Sequence, residues 1–193
     1  MLKEQMKQWL ERQSIVKLFP EEKTYVESEQ LATNVEITKI EANRFADVYI
    51  ERLWKETEEL IKEEDIDFLN ERLSYLRKNI AQFIYIETEE LGMLGIDGIS
   101  LEVEDVFQVY SVLFGLKVKK NKEKAILHYF NDHLTGEIPK YSMMFNQADG
   151  LWDINFTFDY VEGFQEEMSL REAFERIYRF LFQLVVHLEN ETL

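Results

Sequence analysis

From Trp152 to Tyr160 the chain alternates without a break. Trp152, Ile154, Phe156, Phe158 and Tyr160 are interleaved with Asp153, Asn155, Thr157 and Asp159. Successive side chains of a strand point to opposite faces, so this pattern predicts a strand with one buried face and one wet face. Upstream, Tyr141, Met143 and Phe145 alternate in the same way, and Asn146-Gln147-Ala148-Asp149-Gly150 is rich in turn formers. The two runs read as an antiparallel hairpin. Ser169-Leu170-Arg171-Glu172 is a capping box, in which the Ser169 hydroxyl accepts from the amide of residue 172 and the Glu172 carboxylate reaches back. Behind it, Leu170, Ala173, Phe174, Ile177, Tyr178, Leu181, Leu184, Val185 and Leu188 form a wide apolar face. This helix is expected to cover the apolar face of the hairpin, each large side chain contributing roughly 1.5–3 kcal/mol.

The rest of the chain is read more coarsely. Leu2, Met6, Trp9 and Leu10 predict a helix over 2–13, and Ile15 to Phe19 a strand stopped by Pro20. Pro20-Glu21-Glu22 suits a first helical turn, with a helix over 20–31. Residues 34–40 alternate like a strand. Phe45, Val48, Tyr49, Leu53, Trp54, Leu60 and Ile61 mark one face of a helix over 42–63. Ile66, Leu69, Leu73, Leu76, Ile80 and Phe83 then step by threes and fours, a seam capped at Asp65. This seam predicts a mid-chain helix hairpin with 42–63, or else a helix that pairs with a second copy. Leu91 to Ser100 reads as a glycine-punctuated loop whose Leu94 and Ile96 could form a binding tip. Ile99, Leu101 and Val103 suggest a short strand. Residues 105–117 fit either a helix or a strand, and 122–134 a helix. No repeat or linker divides the chain, so residues 1–193 are expected to form a single α+β domain: an antiparallel sheet whose C-terminal hairpin packs on the long C-terminal helix.

Thirty-eight acidic residues against 22 basic ones give a formal charge of −16. Such a surface repels nucleic-acid phosphates and anionic membranes, and attracts a cation or a basic protein. There is no cysteine, which removes disulfides, thiolate catalysis and thiolate metal sites. The first ten residues lack a signal-peptide core, and no apolar run approaches the roughly 18 residues that span a bilayer. Cytoplasmic location is the expectation.

Few residues nominate chemistry. His128 and His133 are five apart, about 140° around a helix axis, so they do not share a face. His187 lies near the end of the last helix, where the dipole favours a cation. Glu59 and Glu63, four apart, suit a metal or simply a solvated face. Gly92, Gly95 and Gly98 lack the lysine and hydroxyl of a phosphate loop. Lys117, Lys119, Lys120, Lys122 and Lys124 suggest an anion site or a solvated turn. No catalytic residue, cofactor site or metal site is assigned. Asp153 and Asp159, on the polar face of the hairpin, are the candidates for contacts to a basic partner.

Two resemblances accompany this reading. Asp149-Gly150-Leu151-Trp152 with Phe158-Asp159-Tyr160 resembles the closing motif of small acidic antitoxin and immunity proteins of Gram-positive polymorphic-toxin systems. It implies a non-enzymatic module that occludes a toxin with an acidic surface. The stretch from Met144-Phe145-Asn146 to Tyr178-Arg179-Phe180-Leu181-Phe182 resembles a small family of Bacillus-type bacteria labelled branched-chain amino acid aminotransferase. That resemblance implies pyridoxal phosphate on a lysine, for which the residues nominate no position. The expected function is protein binding, with the aminotransferase and a structural homodimer on the 66–83 seam as alternatives.

Overall fold

The computed structural model describes residues 2–12, 15–31, 36–38, 45, 47–137 and 140–191. Its centre is a seven-stranded sheet in which every neighbouring pair is antiparallel. In chain order the strands are β3 (Tyr49–Trp54), β4 (Leu60–Glu64), β5 (Gln82–Glu87), β6 (Ile96–Val103), β7 (Tyr110–Leu116), β8 (Tyr141–Asn146) and β9 (Leu151–Thr157). They lie in the order β4-β3-β5-β6-β7-β9-β8. Two short strands before them, β1 (Ile15–Lys17) and β2 (Glu36–Thr38), pair in parallel. The helices are α1 (Leu2–Glu11), α2 (Pro20–Ser28), α3 (Tyr75–Lys78), α4 (Glu89–Met93), α5 (Glu123–His133) and α6 (Leu170–Asn190).

The C-terminal register is the one the alternation predicts. Trp152, Ile154 and Phe156 are buried and pair with Phe145, Met143 and Tyr141. Helix α6 covers that side, with the Phe156 ring 5.1 Å from Phe180 and 5.8 Å from Phe130 of α5. Ser169 accepts from the Glu172 amide and Glu172 accepts from the Ser169 amide, so the capping box forms. The strand stops at Thr157, however, and Phe158–Tyr160 is a 3-10 turn. Phe158 still reaches the core, through the turn rather than through strand alternation.

The mid-chain helix hairpin is overturned. Residues 49–64 form the β3–β4 hairpin, with residues 42–44 and 46 of that expected helix outside the described set. The 66–83 seam is broken into a 3-10 turn (Ile66–Asn70), the single-turn helix α3 and the start of β5. Its leucines Leu69, Leu73 and Leu76 are fully buried within this chain, so the seam offers no surface for a coiled-coil dimer. What fixes the segment is distant in sequence: the Leu73 amide donates to Met168 and the Leu170 amide to Glu71. Leu91–Ser100 is not a loop but α4 running into β6, and Leu94 and Ile96, the expected binding tip, are both fully buried. The ambiguous 105–117 segment resolves as a turn followed by the interior strand β7.

Candidate functional site: the open face of the sheet

Helices α1, α2, α5 and α6 gather on one side of the sheet, and the register fixes which side chains stand on the other. Glu51 faces Tyr85, Tyr85 faces Ser100, Ser100 faces Leu113, Leu113 faces Asn155, and Asn155 faces Ser142. This row crosses six of the seven strands. Above the row, a groove of about 640 Å³ is lined by Tyr85, Asp97, Ser100, Leu113, Met144, Asp153 and Asn155 among others. Glycine shapes its floor. A Cβ on Gly98 would lie 2.4 Å from the Tyr85 hydroxyl oxygen, so the tyrosine ring lies flat over β6 only because residue 98 has no side chain.

The face is acidic and aromatic at one end. Tyr49 pairs with Glu87 and Glu51 with Tyr85, while Glu63 stands opposite Glu51 on β4. The Tyr49 hydroxyl donates to Glu51, and the Tyr85 hydroxyl donates to Glu87 at 2.7 Å. Hydrogen bonding to Glu51, then burial and the field of Glu51, Glu63 and Glu87, push the Tyr49 hydroxyl up to about 12. Burial first, then Glu87, Asp97 and Glu51, raise Tyr85 as well. Burial and the surrounding carboxylates thus both favour the neutral form of these two neighbouring phenols. Toward the middle, Glu102 is raised by burial against the opposing pull of Lys55. Among the described residues, cations stand at the margins. Lys55, just after β3, bonds the Val103 carbonyl and Asp105, and Lys117, just after β7, pairs with Asp97 at 2.7 Å. Lys140 precedes β8 at a far corner.

The two aspartates named from sequence are separated. Asp153 is exposed and lines the groove, in register with Gly115 and Met144. Asp159 lies in the 3-10 turn at the end of the strand. Its carboxylate accepts from the Tyr110 amide at 2.6 Å and stands 3.9 Å from Arg77, which stacks over the Tyr110 ring. Burial raises its pKa despite the Tyr110 amide and Arg77. This aspartate therefore braces the start of β7. Thr157, expected on the wet face, is only 5% exposed and stands in register with the buried Ser111 of β7. The lysine run disperses: Lys117 binds Asp97, Lys120 sits over the Phe145 ring, and Lys122 bonds the Leu188 and Glu191 carbonyls. The Glu59–Glu63 pair dissolves too, since Glu59 is in the β3–β4 turn and Glu63 on a strand.

The tyrosines and glutamates of β3 and β5 were missed from sequence because the segment reads as helical. The signal that carries them is the alternation Tyr49-Ile50-Glu51 and Tyr85-Ile86-Glu87, in which a tyrosine and a glutamate flank a buried isoleucine twice. Imidazole donors converge elsewhere: His128 and His187 meet where α5 lies against the end of α6, while His133 stacks on Tyr129. Among the described residues no helix is long and apolar enough to cross a membrane. Comparison with family models, with curated proteins and with solved structures returns no match.

Proposed function

We propose that the protein is a non-enzymatic binding module that receives a basic segment of a partner protein on the open face of its sheet, as an acidic immunity or antitoxin protein would. The observation that carries this reading is the tyrosine–carboxylate array of Tyr49, Glu51, Tyr85 and Glu87, continued across the groove by Asp97 and Asp153. An arginine suits such an array, because its guanidinium stacks on a phenol ring while forking onto a carboxylate. The backbone beneath is a hydrogen-bonded sheet, so little ordering cost accompanies binding. The surplus of negative charge speeds encounter with a basic partner and disfavours nucleic acid. Binding is favoured over pyridoxal chemistry by the half-buried lysines Lys55 and Lys122, whose ammonium groups are engaged by carbonyl oxygens.

The test is titration of the full chain with an arginine-rich peptide at low and high salt. The Glu51→Gln/Glu87→Gln variant is expected to weaken binding several-fold more than the charge-matched Glu4→Gln/Glu27→Gln variant on α1 and α2. Equal loss in both variants would mean that the peptide reads only net charge, and the reading would fail.

A further inference from the structure

We propose that His128, His187 and Glu191 form a zinc-class divalent-metal site that pins α5 to the C-terminal end of α6. The three residues come from two helices and from the cap that follows the second one. One donor atom from each lies within 4.8 Å of the other two. His128 Nδ1 is 3.5 Å from Glu191 Oε1, and His187 Nε2 is 3.7 Å from the same oxygen. Tetrahedral zinc with bonds of about 2.0–2.1 Å holds its donors roughly 3.3–3.4 Å apart. The two edges to Glu191 are a few tenths of an ångström wider, and the His128–His187 edge lies within 4.8 Å, so rotation of the exposed His128 ring would have to draw the three donors together.

Four further features support the site. The His187 Nε2 atom is buried and has no hydrogen-bond partner among the described residues, a state that costs free energy unless something binds the nitrogen. The opposite ring nitrogen of His128, Nε2, lies 3.1 Å from Asp132 Oδ2. A proton held there by Asp132 leaves the Nδ1 lone pair directed at the cluster, the arrangement by which carboxylates orient metal-binding histidines. Lys122 donates to the Leu188 and Glu191 carbonyls at 2.7 and 2.5 Å, which fixes the backbone that carries the third ligand. The site also stands at the negative end of the α6 dipole, where positive charge is stabilised. Two imidazoles and one carboxylate suit zinc and its transition-metal neighbours rather than magnesium or calcium, which take oxygen ligands. Solvent completes the coordination, because the His128 side chain is 60% exposed.

The untagged full chain is to be titrated with zinc against a chromophoric chelator, with the thermal midpoint followed in parallel. Stoichiometric binding that raises the midpoint is expected in the parent and in His133→Ala. His128→Ala and His187→Gln should lose both effects. Asp132→Asn should weaken binding about 10–100-fold, as loss of an orienting carboxylate does. Absence of binding, or equal zinc affinity in the parent and the His128→Ala/His187→Gln double variant, overturns the site. The exposed His128 keeps this decisive if His187→Gln proves unstable.

Discussion

The β8–β9 hairpin and the β3–β4 hairpin are built alike, yet only one of them is written in the sequence. In β9 the covered face is wholly apolar and the open face, beyond Leu151 at its start, is polar, so hydropathy alternates with the backbone. In β3 the open-face positions are Tyr49, Glu51 and Leu53, and the opposite-face positions Ile50, Arg52 and Trp54, of which Trp54 at the strand end is 43% exposed. Each face there mixes apolar and charged groups. Arg52 lies on the covered side, bonding Glu64, Tyr75 and Gln82 and sitting over the rings of Phe68 and Tyr75. Periodicity reports the difference between faces, and where the faces do not differ it is silent. The residual spacing of Phe45, Val48, Leu53 and Trp54 then imitates a helix. The lesson extends to function: the end of the sheet whose alternation is lost is the end whose open face carries the aromatic and acidic side chains.

That contrast can be strained from both ends. Phe156→Ala should give the largest loss, about 3–5 kcal/mol by urea denaturation, because its ring meets Phe114, Phe130 and Phe180 in a close-packed core. In the other hairpin, Arg52→Ala leaves the Glu64 carboxylate, whose side chain is 6% exposed, with Lys62 as its remaining cation at 2.6 Å, and should cost about 1.5–3 kcal/mol, as loss of a hydrogen bond to a charged group does. Burial opposes ionisation of Glu64, but Lys62 and Arg52 outweigh it and the pKa is lowered. Its stabilisation is therefore complete above the ordinary glutamate range and lost as pH falls through the depressed value. Glu64→Gln should flatten that acid limb of the stability–pH curve, and an unchanged limb would refute the pairing. Ser169→Ala should cost about 0.5–2 kcal/mol through the α6 cap, as read by the denaturation midpoint.

The aspartates give the finest contrast. Asp159→Ala leaves the Tyr110 amide without its acceptor and should cost about 1–3 kcal/mol. Asp153→Ala, on the exposed floor of the groove, should stay within about 0.5 kcal/mol in thermal denaturation and weaken binding of a basic peptide.

The sequence carried the C-terminal hairpin, its capping box and the helices at 2–11, 20–28 and 123–133, because each has local chemistry of its own. It did not carry 66–83, where threefold and fourfold spacing of leucines arises from short turns all facing one core. Those turns are held by hydrogen bonds from Leu73 to Met168 and from Leu170 to Glu71, nearly a hundred positions away along the chain. Of the candidate site, Asp153 was legible and the tyrosine–glutamate array was not. The histidines were weighed pairwise within one helix, whereas His128 and His187 meet across two. No spacing rule within a single element reveals such a pair.

We propose that the uncovered sheet face, and not the helical side, is the binding surface. Hydroxyl-radical footprinting of the full chain with and without an arginine-rich peptide tests it most directly, because Tyr49 and Met144 are 38% and 67% exposed at opposite ends of that face. Protection of Tyr49, Tyr85 and Met144, with Val106 and Phe107 at the β6–β7 turn unchanged, is expected. Protection confined to that turn or to the helical side, with Tyr49 and Tyr85 still fully reactive, would contradict it.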